Sequence, residues 1–314
     1  MNRFDKVKII SDLNAINDLN EKAFVKTIGK DTLYFKYKQD TPYNLIIIAD
    51  KLKKEMSLEF TGKILKDDYP KLIGLDNIED CLKSINDIGI VALNTEFLLC
   101  KSEVVKCDVT KDVVIEDFTK AISNVKRNIS NHRRWVISHY QGEGLVINNT
   151  VKTPRHKLRV CIYPKGKEMN RSTNKGFLDS LQDKDALQKY FSNKTRIELN
   201  LNTMEQIRKY FMTDNNLVNI LSSTQNPIYA VLSKAIGNAD DTITSKDKMS
   251  LRDYERLCLI EKCDGNTEKI EELIRVYSGS CTSIKRAMAP YKRLLPIWKD
   301  ESEAVQFSLL DLVA

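Results

Sequence analysis

Three short stretches decide how this chain folds: VVKCDVT at residues 104–110, LRVCIY at residues 158–163 and RIELNL at residues 196–201. Apolar and polar side chains alternate in each of them, and this alternation predicts a β-strand with one face in the core. Other strand patterns and short amphipathic helices precede residue 213. Together they predict an α+β domain built on a central antiparallel sheet.

The polar faces of these three strands carry an unusual set of side chains. They are Asp108 on the first strand, Arg159 and Tyr163 on the second, and Arg196 and Glu198 on the third. If the strands are neighbours, one face of the sheet is core and the other holds two carboxylates, two arginines and a tyrosine. A half-buried sheet also exposes such residues simply as its solvent-facing side, and that interpretation stays open.

This set of side chains suits metal-assisted attack on a phosphodiester. Asp108 and Glu198 offer the hard oxygen ligands that Mg²⁺ or Mn²⁺ prefers, and such a metal polarises a phosphate. The Tyr163 phenol can attack phosphorus and form a covalent phosphotyrosine. Lys165 would stabilise the phenolate or the leaving group if the strand continued to it. Three rival nucleophiles, which we expect to pack or to bind DNA instead, are Tyr140, Tyr190 and Tyr210.

Positive charge is concentrated in one segment of the chain. The net charge is +7, yet residues 126–175 hold twelve Lys or Arg against two Glu, and the other 264 residues sum to −3. Such a segment suits contacts to DNA phosphates, although a solvated charged face is the plainer interpretation. The predicted DNA contacts are Arg133, Arg134, Arg155, His156, Lys157, Arg159 and Arg196.

The stretch YPKGKE at residues 163–168 has the pattern Y-x-K-x-x-E. It resembles the signature of rolling-circle replication proteins of the filamentous-phage gene II and gene X type, and that of the Rep_trans initiators of staphylococcal-type plasmids. VKCDVTKD at residues 105–112 is similar to their R-[LI]-D strand, and TRIELNL at residues 195–201 is similar to their R-[VF]-E strand. The three blocks follow the order that these families use.

The resemblance implies a relaxase-like or nickase-like catalytic domain. Tyr163 would be the nucleophile, Asp108 and Glu198 would bind Mg²⁺ or Mn²⁺, and Lys165 and Glu168 would belong to the site. The sequence departs from the family pattern at two positions. Lys106 stands where the families usually have arginine, and Pro164 predicts that the strand ends directly after the tyrosine.

We divide the chain into an α+β nicking and joining domain, residues 1–213, and a helical domain, residues 214–314, because helical periodicity dominates after residue 203. The helix pattern at residues 282–295 is basic and contains Pro290, which predicts a kink or an end there. It suits a helix-turn-helix-like reader of duplex DNA, or a bundle that braces the sheet or mediates a dimer contact. No internal repeat is detectable.

These features predict an initiator of rolling-circle DNA replication that nicks and rejoins one strand of a plasmid or phage origin. Its partners would be single-stranded and double-stranded origin DNA and, indirectly, a host helicase and polymerase; a homodimer stays open. The alternatives are a mobilisation relaxase and a non-catalytic DNA-binding regulator. Seven scattered cysteines and apolar runs of only strand length predict a cytoplasmic protein with no membrane partner.

Overall fold

The computed structural model has mixed α and β structure, with a ten-stranded antiparallel sheet and a helical C-terminal region. It describes residues 2–29, 32–128, 134–140, 142–151, 153, 156–236, 250–277, 283–302 and 309–314. The strands are β1 (Phe4–Asp12), β2 (Ile16–Leu19), β3 (Val25–Gly29), β4 (Thr32–Gln39), β5 (Leu45–Asp50), β6 (Glu55–Thr61), β7 (Val91–Leu93), β8 (Glu103–Val114), β9 (Trp135–Tyr140), β10 (Gly144–Asn149), β11 (Arg159–Pro164) and β12 (Lys194–Leu201).

The helices include several of only one or two turns. They are α1 (Ile78–Asn86), α2 (Thr95–Lys101), α3 (Phe118–Asn128), α4 (Lys165–Met169), α5 (Lys175–Leu178), α6 (Lys184–Phe191), α7 (Met204–Phe211), α8 (Leu217–Ser222), α9 (Pro227–Ala235), α10 (Leu251–Lys262), α11 (Thr267–Tyr277), α12 (Ile284–Ser302) and α13 (Leu309–Val313). A further helical segment, Gly62–Lys71, follows β6. Of the helices described, none has the length and apolarity needed to cross a bilayer.

The large sheet consists of two halves with the same connectivity. Its strand order is β3-β4-β5-β6-β1-β8-β12-β11-β10-β9, while β2 pairs with β7 in a separate sheet. In the N-terminal half, β3 to β6 form a meander whose last strand pairs with β1; in the C-terminal half, β9 to β12 form a meander whose last strand pairs with β8. Because β1 and β8 pair antiparallel in the middle, an approximate two-fold axis relates the halves. The two halves therefore repeat the same strand topology, although the sequence shows no detectable repeat.

One face of the sheet forms the main hydrophobic core. On β12 this face consists of Ile197, Leu199 and Leu201, all fully buried. Apolar residues of α1, α2, α3, α7, α8, α9 and α13 join the same cluster. The helix after β12 begins where it does because the Thr203 hydroxyl accepts a hydrogen bond from the Gln206 backbone amide, which caps its N-terminus.

A second, smaller layer covers part of the opposite face. It consists of the Gly62–Lys71 segment together with α4, α5 and α6, which contact β1, β11 and β12. Its centre is aromatic: the Tyr69 ring meets the rings of Phe177 and Phe191 at centroid distances of 5.4 and 5.7 Å. We call these elements the aromatic cover. They turn part of a polar sheet face into a buried layer.

The expected division of the chain after residue 213 does not fall between two hydrophobic clusters. Residues of α8 and α9 such as Leu217, Leu221 and Val231 belong to the core of the sheet. Residues of α10, α11 and α12 form a cluster of their own, whereas Leu309 and Val313 of α13 belong to the core of the sheet again. Periodicity identified these helices as helices, but it does not say which core a helix joins. Helix α12 also continues through Pro290 instead of ending there.

Candidate active site

The three strands that carry the predicted site are neighbours in the sheet, in the order β8, β12, β11. Asp108 is the cross-strand partner of Asn200, and Tyr163 is the partner of Arg196. Cross-strand partners project from the same face of a sheet. The expected adjacency is therefore confirmed, and the polar residues of all three strands share one face.

Asp108, Glu198 and Tyr163 lie on a diagonal across these strands. Each step along it moves one strand over and two residues along, because Thr110 pairs with Glu198 and Glu198 pairs with Cys161. Diagonal neighbours in a sheet are about 7–8 Å apart at Cα. Glu198 is therefore the middle residue of the three.

The phenol of Tyr163 is hydrogen-bonded and nearly inaccessible. Its hydroxyl donates to Glu198 Oε1 at 2.7 Å, and the residue is 5% exposed. Burial raises the pKa of this phenol well above its usual value of 10, and the nearby Glu198 carboxylate raises it further. An attack by Tyr163 therefore requires a proton acceptor and an opening to the phosphate.

A glycine allows a second tyrosine to approach Tyr163. Gly144 on β10 lies between them, and a Cβ atom there would come within 2.9 Å of the Tyr163 Cβ atom and of two backbone oxygens. The rings of Tyr140 and Tyr163 approach to a centroid distance of 4.9 Å. Tyr140 is the rival tyrosine that the structure brings beside the site. Of the other two rivals, Tyr210 lies on α7 and contributes to the main core, and Tyr190 lies on α6 in the aromatic cover.

The carboxyl group of Glu198 is poised to exchange a proton near neutral pH. Burial raises its pKa from 4.5 to about 7, and the neighbouring Asp5 carboxylate also raises it, whereas Arg196, Lys165 and the Tyr163 hydroxyl lower it. Its side chain is 12% exposed. The group that accepts the hydrogen bond of Tyr163 is thus well suited to accept its proton.

Strand β11 ends at Pro164, as the sequence predicts, and Lys165 begins α4. Lys165 nevertheless stays at the site, with its Nζ atom 5.9 Å from the Tyr163 ring centroid. Its side chain is 3% exposed and donates to Glu168 Oε2 at 2.6 Å. Glu168 also accepts from Asn174 Nδ2 at 3.0 Å. Lys165 and Glu168 thus form a buried ion pair beside the phenol.

Arg196 does not fit its predicted role as a DNA contact. It is fully buried, and its guanidinium donates to both Asp112 oxygens at 2.7 Å. It also donates at 2.7 Å to Asp5 Oδ1 and to the Tyr69 hydroxyl. The guanidinium carbon lies 5.2 Å from the Tyr69 ring centroid. Arg196 is an internal ion-pair residue under the aromatic cover, and we do not propose it as a DNA contact.

Three residues that the sequence patterns did not predict complete this buried network. Asp5 and Asp112 bind Arg196, and the Tyr69 hydroxyl donates to Asp5 Oδ1 at 2.7 Å. Burial acts to raise the pKa of Asp5, but Arg196 and Lys165 outweigh it and the pKa is lowered. One signal was available for Asp112, because it follows Asp108 and Thr110 on the polar face of β8. Asp5 and Tyr69 are distant in sequence and gave no comparable signal.

The remaining predicted DNA contacts cluster at one end of β9, β10 and β11. Arg134 precedes β9, and its backbone oxygen accepts from the Thr150 amide beyond the end of β10. His156, Lys157 and Arg159 lead into β11 and are exposed. Arg159 also lies over Tyr140, with its guanidinium carbon 5.7 Å from the ring centroid. Two predicted contacts, Arg133 and Arg155, lie outside the described residues.

Hard oxygen ligands are present for a divalent cation, but they are few. Asp108 Oδ1 accepts from Asn200 Nδ2 at 2.7 Å, and burial, followed by the neighbouring Asp5, raises the pKa of Asp108. In the part of the chain that is described, no three His, Cys, Asp or Glu side chains gather as a metal-binding group. Asp108 and Glu198 are the residues that would hold Mg²⁺ or Mn²⁺ here, since Mg²⁺ is commonly held by one or two carboxylates with water in the remaining positions.

Comparison of the chain with protein-family models, with curated proteins and with solved structures finds no match.

The raised pKa of Glu198 predicts how the stability of the protein depends on pH. The folded protein keeps this proton at pH values where the unfolded chain has released it, so the stability that it contributes is full below about pH 4.5 and is lost as the pH rises through about 7. Glu198→Gln cannot ionise. Between pH 5 and pH 8 in EDTA, we expect its free energy of unfolding to gain up to about 3 kcal/mol relative to the wild type.

Urea denaturation at the two pH values measures this difference. The matched control is Glu116→Gln, which changes an exposed carboxylate and should shift by a few tenths of a kcal/mol at most. Equal shifts for the two variants would show that Glu198 is ionised in the folded protein at neutral pH.

Proposed function

We propose that this protein initiates rolling-circle DNA replication as a metal-dependent nicking and joining enzyme with a relaxase-like catalytic domain. The observation that carries the proposal is the hydrogen bond between Tyr163 and Glu198 on the sheet face shared with Asp108. Tyr163 supplies a nucleophile, and Glu198, whose pKa is about 7, supplies a proton acceptor. Asp108 adds a second carboxylate on the same face. Phosphotyrosine chemistry needs such groups. The signature-like stretches at residues 105–112, 163–168 and 195–201 support the same function.

In the nicking step, the Tyr163 oxygen attacks phosphorus and its proton passes to Glu198. The bond from phosphorus to the 3′-oxygen of the preceding nucleotide breaks, and that oxygen takes a proton from water. The 5′-phosphate stays on Tyr163 while the free 3′-hydroxyl primes a polymerase. In the joining step, a 3′-hydroxyl attacks the phosphotyrosine and the phenol is restored. A cation held by Asp108, and by Glu198 while its carboxylate is ionised, would offset the negative charge of the phosphate.

The side chains around Tyr163, which include Tyr140 and, from the aromatic cover, Lys165, would have to shift before a phosphate reaches the phenol, because it is almost fully buried. Loops and short helices over a catalytic centre often move in this way when substrate binds. The cover is built from short helices of four to eight residues, α4 to α6, and from Gly62–Lys71. Exclusion of water by these elements would strengthen the charge interactions at the phosphate.

The same burial favours a second candidate function, a DNA-binding regulator without catalysis. Such a protein would use the exposed basic residues and keep the Tyr163–Glu198 pair only as part of its packing. The two functions differ in one product. Incubation with labelled single-stranded DNA of the source replicon and Mn²⁺ should give a covalent protein–DNA adduct that survives denaturation. Complete absence of an adduct across that replicon would favour the regulator.

The metal requirement is tested by Asp108→Asn. Removing this charge should lower adduct formation in Mn²⁺ or Mg²⁺ by at least about 100-fold, as is typical when a group stabilising transition-state charge is lost. Affinity for single-stranded DNA should remain, since phosphate contacts elsewhere supply much of it. A second readout is thermal: Mn²⁺ should raise the melting temperature of the wild type but not of the variant. Normal adduct formation by Asp108→Asn would remove Asp108 from the site.

A further inference from the structure

We propose that the N-terminal half of the sheet, together with Lys106 of the adjoining strand β8, holds the phosphate backbone of single-stranded DNA through a group of lysines, and that this surface leads the strand to Asp108. The inference rests on the proposed function for its direction toward Asp108. The surface consists of Lys6 and Lys8 on β1, Lys36 and Lys38 on β4, and Lys106 on β8. We call these five residues the lysine surface.

The pairing of the strands places the lysine surface on the same sheet face as the candidate site. Lys6 is the direct cross-strand partner of Asp108, and Lys8 is the partner of Lys106. Both Lys6 and Lys106 act on Asp108, lowering its pKa against the effect of burial. The lysines therefore begin beside the predicted metal ligand, without an intervening strand.

The register continues the surface outward to β4. One row of cross-strand partners runs Lys106, Lys8, Glu59, Ile46 and Lys38 across β8, β1, β6, β5 and β4. Lys36 lies two residues before Lys38 and faces Ile48 of β5. Half-buried isoleucines thus separate the outer lysines from the inner ones, and they offer apolar contact to sugars and bases between the phosphate contacts.

The five lysines of this surface outnumber the carboxylates beside them, which are Glu59, Asp40 and Asp108. Glu59 binds Lys6 at 2.5 Å and lies 3.8 Å from Lys8, and Lys38 binds Asp40 at 2.8 Å at the edge of the surface. The side chains of Lys6 and Lys8 are 27% and 33% exposed. They are held against the sheet but remain accessible to a polyanion. Release of counterions makes such a surface favourable for DNA.

On its other side, the surface is continuous with the basic end of β11. A second row of partners runs Lys6, Asp108, Asn200 and Arg159. From Lys38 on β4 to Arg159 on β11 the two rows cross seven strands, or about 29 Å at the usual spacing of about 4.8 Å between strands. A single strand lying across the sheet would meet cations on both sides of Asp108.

The two-fold relation between the halves explains why this half binds without cutting. When the two halves are matched about the paired residues Val7 and Cys107, Lys8 takes the place that Asp108 has in the other half. By the same relation, the pair Ile10 and Ser57 corresponds to the pair Thr110 and Glu198. Ser57 therefore takes the place of Glu198. The N-terminal half thus has the topology of the catalytic half, but carries a cation and a hydroxyl in place of its two carboxylates.

Fluorescence anisotropy with a labelled single strand of about 20 thymidines tests the surface without needing an origin sequence. For single strands, the logarithm of the affinity falls with the logarithm of salt by about 0.7 per phosphate contact. We expect the double variant Lys8→Ala/Lys106→Ala to reduce this slope by about 1.4. The matched control, Lys83→Ala/Lys101→Ala, removes the same charge from α1 and α2, which pack on the opposite face, and should keep the slope.

A second variant guards against misfolding of the first. Lys36→Ala/Lys38→Ala changes exposed positions on β4 and should also reduce the slope by about 1.4. Slopes equal to that of the control, or no salt-dependent binding by the wild type, would overturn the lysine surface. The adduct assay is independent of these slopes. An adduct formed by the wild type, with unchanged slopes in both lysine variants, would support the nicking function and contradict the lysine surface. Reduced slopes in the lysine variants without any adduct would support the lysine surface and contradict the nicking function.

Discussion

Tyr163→Phe is expected to give a folded protein that binds single-stranded DNA with wild-type affinity but forms no covalent adduct and no nicked product. The substitution keeps the ring that packs against Tyr140 and removes only the hydroxyl that donates to Glu198. Loss of one hydrogen bond to a carboxylate should lower the free energy of unfolding by about 1–3 kcal/mol. Chemistry that passes through the phenol oxygen has no substitute route, so the loss of product should be complete.

The matched control for this experiment is Tyr140→Phe. Its ring lies 4.9 Å from that of Tyr163, and it is the tyrosine best placed to replace it. We expect this variant to nick and to form the adduct at nearly the wild-type rate. Denaturing gel electrophoresis with labelled DNA measures both variants. Loss of the adduct in Tyr140→Phe together with its retention in Tyr163→Phe would transfer the role of nucleophile to Tyr140.

Arg196→Met is expected to lower the free energy of unfolding by about 3–5 kcal/mol. Removing one partner of a buried ion pair is costly in this range because it leaves the other charge without compensation. Asp112 is 5% exposed and would lose both of its guanidinium hydrogen bonds, and Asp5 would lose its strongest counter-charge. Methionine fills part of the space between Tyr69 and Phe191. The loss of stability therefore reports mainly the missing positive charge and less a cavity in the packing. Urea denaturation measures it.

An exposed arginine provides the comparison. Arg3 also forms two hydrogen bonds to one carboxylate, that of Asp76, but the side chains are 31% and 55% exposed. Arg3→Met should therefore cost less than about 1 kcal/mol. The double variant Arg196→Met/Asp112→Asn should recover part of the stability that Arg196→Met loses, because the uncompensated carboxylate is gone. Equal losses for Arg196→Met and Arg3→Met would mean that the buried network contributes little.

Local patterns predicted much of the sheet and the faces of its central strands. Alternation in residues 104–110, 158–163 and 196–201 placed Asp108, Glu198 and Tyr163 opposite the core, and the register of β8, β12 and β11 agrees. The end of β11 at Pro164 was also predicted, because proline fixes the backbone and lacks a donor. These are properties that a strand carries in its own residues.

Burial of the polar face was not predictable from the same patterns. Alternation says that Arg196 lies opposite the core, but not that Tyr69, Phe177 and Phe191 arrive from distant segments to cover it. The covering stretches are polar on average and short, so they resemble surface insertions. The core that α8 and α9 join was not predictable for a related reason, since both were recognisable as helices without any sign that they pack on the sheet.

The most direct test of the central claim is to map the nucleotide in the wild-type adduct. After reaction in Mn²⁺, digestion with trypsin and nuclease should leave a nucleotide-modified peptide, and fragmentation by mass spectrometry assigns the modified residue. We predict the modification on Tyr163, in the peptide that ends at Lys165. A modification on Tyr140, Tyr190 or Tyr210, with Tyr163 unmodified, would contradict the proposed site.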